Sequence, residues 1–94
     1  MEIQGRALLR DFSRKHSNVL KPLKRWVVLT EEAQWQTPAE VKATFPSVSF
    51  VKTTAVFNIG GNNFRLLSHI VYERLMVIIY NILVHEDYDK LKIE

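Results

Sequence analysis

The chain has 94 residues, of which 47% are apolar and 11% aromatic. That supplies the core of one small domain and excludes a disordered chain, which is poor in such residues. There is no cysteine, which excludes disulfide staples, thiolate chemistry and cysteine-ligated zinc. The net charge is only +3, yet it is unevenly placed. Through Trp26, seven basic residues (Arg6, Arg10, Arg14, Lys15, Lys21, Lys24, Arg25) face only Glu2 and Asp11, whereas the remainder carries six basic and eight acidic residues. A basic half followed by an acidic one suits a polyanion or an acidic protein partner, or simply two solvated helix faces.

In chain order, Glu2–Gln4 has the character of a short first strand. Over residues 6–16, Leu8, Leu9 and Phe12 recur at helical spacing while Arg10, Arg14 and Lys15 fall elsewhere, which predicts an amphipathic helix. A second helix is expected from an N-cap at Ser17, with Pro22 near its first turn and Leu20, Leu23 and Val27 as its apolar stripe, closing near Ala33. Thr37-Pro38-Ala39-Glu40 reads as a capping box: threonine caps, proline takes the first helical position, and the glutamate reaches back to the cap N–H. A short helix then runs to about Thr44, and Pro46 follows its end.

Residues 51–59 are rich in β-branched and aromatic types, and Gly60-Gly61-Asn62-Asn63 is a turn. Phe64–Val71 and residues 75–83 are two further strand-like runs, joined tightly through Tyr72-Glu73-Arg74. Three adjacent runs with short links predict an antiparallel meander. Residues 85–91 close the chain as a short helix. The fold class is therefore α+β over one domain, residues 1–94, with two N-terminal helices packed on a small antiparallel sheet. The longest apolar run begins at Leu75, is broken by Asn81 and stops at Val84, about half of the roughly 18 residues a membrane span needs. The opening Met-Glu-Ile-Gln-Gly lacks the layout of a secretion signal. A soluble, cytoplasmic protein without a membrane partner is expected.

P-loop, dinucleotide, GxSxG and HExxH signatures are all missing from the sequence. His16, His69 and His85 are far apart in sequence, so neither a metal nor another cofactor is expected. Arg65 stands inside an apolar strand run, where a guanidinium must lie at an edge, be paired, or point into a cleft. The two-residue strand period places Arg65, Leu67 and His69 on one face. If the next strand pairs across a two-residue turn at Tyr72-Glu73, Arg65 faces Tyr80; a slip of one residue puts Asn81 there instead. His85 and Tyr88 are three apart on the closing segment, so both can lean toward Arg65. Arginine, histidine, tyrosine and a nearby lysine suit phosphodiester cleavage: a base takes the 2′-hydroxyl proton, cations stabilise the phosphorane, and an acid protonates the leaving oxygen. The same residues also suit plainer roles, Tyr88 as a core anchor and His85 as a helix cap.

Val56-Phe57-Asn58-Ile59-Gly60-Gly61-Asn62-Asn63-Phe64-Arg65-Leu66 resembles the VFNIxGNxYRL block of HigB-like toxins. His85-Glu86-Asp87-Tyr88-Asp89-Lys90 resembles their closing HAEYDK. Trp35-Gln36-Thr37-Pro38-Ala39-Glu40-Val41-Lys42 is similar to their WxTPAEVK segment, and Ala7-Leu8-Leu9-Arg10-Asp11-Phe12 to their opening KALREF. The blocks keep the family's order and cover nearly the whole chain. The resemblance implies a RelE/ParE-like fold and the toxin of a type II toxin–antitoxin pair. It implies an mRNA interferase that cuts mRNA on the translating ribosome and is neutralised by a HigA-like helix-turn-helix antitoxin.

By position, the resemblance assigns Arg65 to a phosphate contact and His85 and Tyr88 to the family's terminal His and Tyr. It sets Lys52 near a basic residue that precedes the strand. Lys52, Asn63, Lys90, Lys42, His69 and the N-terminal basic helices are expected to hold RNA. One departure stands out. The family strand usually reads VYIRFIGTH, whereas here Tyr80 replaces the second active-site arginine and Val84 the threonine. Losing such a cation costs on the order of 3 kcal/mol, about a hundredfold in rate; Tyr80 can instead stack on a base or donate a proton. The competing reading is a ParE-like interaction module that binds a protein such as gyrase through an exposed aromatic surface including Trp26 or Trp35. For both tryptophans the commoner location is the helix–sheet core.

Overall fold

The computed structural model describes residues 1–91. The expected domain ran to residue 94, and its last three positions lie outside the described residues. The elements are β1 (Glu2–Gln4), α1 (Arg6–Lys15), α2 (Leu20–Glu32), α3 (Pro38–Thr44), β2 (Ser49–Val51), β3 (Thr54–Ile59), β4 (Phe64–Val71), β5 (Met76–Val84) and α4 (His85–Lys90). Among the described residues no helix is long and apolar enough to cross a membrane.

The five strands form one sheet in the order β1-β5-β4-β3-β2. The meander is present, but the sheet is mixed rather than antiparallel, because β1 runs parallel to β5 with Ile3 beside Val77. β1 stands at Glu2–Gln4 as expected; its parallel pairing with β5 is the part that local pattern does not supply. The run expected over residues 51–59 is two strands, β2 and β3, divided at Lys52-Thr53, with Val51 opposite Thr54. Lys52 has a φ of 55°, which closes this tight hairpin. Ser17 does not cap α2; residues Ser17–Val19 form a 3₁₀ turn, and the helix starts at Leu20 without a side-chain cap. The capping box at Thr37 is real but shifted: the Glu40 N–H donates to Thr37 Oγ1 at 3.3 Å, while Glu40 Oε1 accepts from the N–H of Gln36 at 3.0 Å.

One sheet face is packed by the helices. Ala55, Phe57 and Ile59 of β3, Phe64, Leu66 and Ile70 of β4, and Val77, Ile79 and Ile82 of β5 share a core with Leu9, Leu23, Trp26, Trp35 and Val41. Phe57 is its hub. The rings of Trp26, Trp35 and Phe45 lie 5.4, 6.3 and 5.3 Å from it, which adds aromatic pairing to plain burial. Both tryptophans are thus core residues, 1% and 3% exposed. The exposed tryptophan surface that the interaction-module reading requires is not there.

Gly5 joins β1 to α1 with a φ of 91°, and a Cβ at this position would be driven into the carbonyl oxygen of Ile79. That contact sets how close α1 lies to β5. Gly5→Ala combines left-handed strain with a backbone clash and is expected to destabilise by on the order of 3 kcal/mol. Urea denaturation of the variant checks this; a midpoint equal to that of the unmodified protein would refute it.

Candidate functional site

The helix-free face carries the residues that alternate with the core. On β3 these are Thr54, Val56 and Asn58; on β4, Arg65, Leu67 and His69. The shared face predicted for Arg65, Leu67 and His69 holds, but the predicted pairing with β5 does not. Arg65 stands opposite Asn58 on β3 and Leu83 on β5, not opposite Tyr80 or Asn81. The reason is the connection, which is a 3₁₀ turn over Tyr72–Arg74 followed by Leu75 at φ 50°, longer than a two-residue turn. The register also shifts along β5: Leu67 pairs with Asn81 and Ser68 with Ile79, so Tyr80 is the extra residue of a β-bulge.

At one end of this face, Arg65, Asn63, His85 and Tyr88 come together. Gly60 and Gly61 take φ of 64° and 68°, which turns β3 into β4 and sets Asn62 and Asn63 beside Arg65. Arg65 Nη1 donates to the carbonyl oxygens of Asn62 and Phe64 at 3.0 and 3.1 Å. Its guanidinium carbon lies 5.8 Å from the centre of the Tyr88 ring, within cation–π range. The N–H of His85 donates to the carbonyl of Asn63 at 2.9 Å, which ties the start of α4 to the turn. Among the described residues no carboxylate lies within ion-pair distance of Arg65. The guanidinium is therefore fixed by neutral carbonyls and a ring, and its charge remains for an external anion.

His85 is oriented from within its own helix. Its Nε2 lies 3.4 Å from Asp89 Oδ2, and its Nδ1 is buried without a partner. Asp89 adjoins the candidate site, at an i, i+4 spacing from His85 that is legible in the sequence. Lys90 is exposed in the last turn of the same helix.

The other predicted residues lie elsewhere. His69 is exposed four residues along β4 from Arg65, its Nδ1 3.2 Å from the carbonyl of Thr53. With Lys52, Phe50, Pro38 and Tyr72 it lines a cleft of about 310 Å³ at the opposite end of the sheet. Burial raises the Tyr72 phenol above its ordinary value, so it stays protonated to higher pH than a free tyrosine. Tyr80 stands between the two ends, its hydroxyl 2.6 Å from Thr54 Oγ1. Lys42 is exposed on α3, in the helical layer, and so does not adjoin the open face. The cations of the first two helices are also elsewhere: Arg6, Arg10 and Lys24 edge an apolar groove between α1 and α2. His16 stacks on Phe12 at 4.3 Å, a packing role.

Residues 20–91 match the family model for the HigB toxin, the RelE-like toxic component of a toxin-antitoxin system. The chain belongs to the HigB toxin family. The matched stretch contains Lys52, Arg65, Tyr80, His85 and Tyr88. Among similar proteins, the mRNA interferase HigB of Escherichia coli O6:H1 (strain CFT073) is 29% identical, over 97% of this chain and 91% of that protein. The mRNA interferase toxin HigB of Escherichia coli K12 is 33% identical over 55 residues, covering 55% of this chain and 53% of that protein. An mRNA interferase HigB of Shigella flexneri matches to the same extent.

Within this HigB family chain, Lys52 keeps a backbone conformation that glycine adopts more easily, a form of strain that gathers at functional positions. Lys52→Gly is expected to raise stability by up to about 1 kcal/mol, since left-handed strain is relieved at some entropic cost. Equilibrium denaturation measures the change; a clear loss of stability would show that the lysine side chain holds the hairpin together.

Proposed function

We propose that this chain, as one toxin domain over residues 1–94, is an endoribonuclease that cleaves mRNA. We further propose that it works on translating ribosomes in the cytoplasm and is neutralised by a HigA-like helix-turn-helix antitoxin. The observation that carries the reading is the arginine at the turn end of the open face. Among the described residues Arg65 has no carboxylate partner, and it lies beside the Tyr88 ring and the turn that precedes β4. The names of the related HigB proteins, all mRNA interferases, support the substrate.

In this reading the RNA's own 2′-hydroxyl is the nucleophile. Because Nδ1 of His85 is buried, proton transfer runs through Nε2, and Asp89, 3.4 Å from that nitrogen, stabilises the imidazolium once the proton has arrived. Nε2 takes the 2′-hydroxyl proton as that oxygen attacks phosphorus. Arg65 faces the phosphorane oxygens and offsets their growing negative charge. As the bond to the 5′ oxygen breaks, the Tyr88 hydroxyl supplies a proton to it, leaving a 2′,3′-cyclic phosphate and a free 5′-hydroxyl. Lys52, His69, Asn63 and Lys90 contact flanking phosphates or sugars.

The test is tightly induced expression in a bacterial host with RNA 5′ ends mapped in the first minutes, repeated with purified protein on free and ribosome-bound mRNA. New ends inside translated frames are expected, and Arg65→Ala is expected to lower cleavage about a hundredfold while melting like the unmodified protein. Cleavage of free mRNA at the same rate as ribosome-bound mRNA would remove the ribosome from the proposal. Full cleavage by a folded Arg65→Ala variant would remove Arg65 from the site.

A further inference from the structure

We propose that Tyr80 is the stacking platform for one unpaired nucleobase next to the scissile phosphate, a subsite that rests on the RNA-cleavage reading above. Three observations place it. Tyr80 is the extra residue of the β5 bulge, the device that re-aims a side chain out of the regular ladder. Its hydroxyl is 2.6 Å from Thr54 Oγ1, on β3, so the side chain crosses β4, which lies between the two strands. Tyr80 nevertheless remains 47% exposed.

Apolar residues lie next to the ring. The register puts Leu67 and Val56 opposite each other, beside the path from Tyr80 to Thr54. Both are buried, at 1% and 2% exposure, yet neither belongs to the core under the helices. A small apolar patch on the open face thus adjoins Tyr80, and nearly half of the Tyr80 surface is left to solvent. A rigid ring with one flat side free, its hydroxyl already engaged, is suited to stacking rather than to proton transfer. Stacking is sequence-tolerant, since every base offers a π-face, and favours bases that stack strongly.

The spacing fits a neighbouring nucleotide. Arg65 pairs with Leu83, three residues beyond Tyr80 on β5, so the two side chains start roughly 10 Å apart along the strand. Arg65 holds the phosphate and Tyr80 the next base along. His69, exposed on the same face beyond Tyr80, continues the track.

The experiment measures binding and cleavage separately. Binding is read on single-stranded oligonucleotides with 2′-O-methyl sugars, which cannot react, and cleavage preference on a randomised transcript. Tyr80→Ala is expected to weaken binding at least about fivefold and to flatten base preference at one position beside the cut. Tyr80→Phe, which keeps the ring but loses its link to Thr54, is expected to lose less. Thermal melting confirms that both variants fold. Equal losses for the two variants would assign the effect to the hydroxyl and overturn the platform. Cleavage with unchanged affinity and preference in Tyr80→Ala would overturn it and leave the nuclease reading standing. Binding that depends on the ring, in a protein that cuts nothing, would support the subsite and overturn the nuclease reading.

Discussion

The structure depends on a sheet that buries one face only, and Phe57 is where that choice is made. Three aromatic rings from α2, the segment before α3, and the segment after α3 meet around this one β3 side chain. Burying a residue of this size contributes on the order of 2–3 kcal/mol. In a chain this short, total stability is only of the order of 5–15 kcal/mol, so few such contacts decide the fold. Since strand side chains alternate, a commitment of Phe57, Leu66 and Val77 to the helices sends Asn58, Arg65 and His69 to the other side. The candidate site is therefore a consequence of core packing as much as of its own residues.

That open face is organised by two irregularities. The Gly60–Gly61 turn brings the Asn62 and Asn63 carbonyls to Arg65 and to the first residue of α4, respectively. The bulge at Tyr80 changes the register between Leu67 and Ser68 and lays a side chain across β4. Neither feature adds core contacts. Each instead fixes a side chain relative to the backbone, which is the condition for precise positioning at a reacting phosphate. The strained φ of Lys52 is a third local feature of the same face.

What could be read from the sequence follows from how local each signal is. The Thr37-Pro38 helix start and the turn at Gly60-Gly61 are local, and both are where the residues place them. The approach of Tyr88 to Arg65 was also legible, because a turn and the short closing helix determine most of it. The partner of Arg65 across β5 was not, since it depends on the length of one turn and on a bulge that no residue type announces. A parallel pairing between the first and last strands is less legible still. Only the whole topology brings Ile3 to Val77. Lys42 and the N-terminal cations show the limit from the other direction: charge is plain in the sequence, but the layer that carries it is not.

In the proposed site, a tyrosine on β5, where the family resemblance leads to the expectation of an arginine, imposes a different kind of restraint. A single guanidinium holds a phosphate at one point and offsets its charge, but leaves the strand free to swing about that point. A second cation would add charge stabilisation at the reacting centre. An aromatic ring adds none; it fixes the plane of a neighbouring base and with it the direction of the strand. Orientation lowers a barrier through entropy rather than through electrostatics, and the two effects are of comparable reach. The hydrogen bond between Tyr80 and Thr54 matters for this reason, because a ring proposed to orient substrate has first to be oriented itself. On the RNA-cleavage proposal, the tyrosine on β5 moves the site from charge toward alignment and leaves Arg65 as the guanidinium proposed to meet the phosphorane.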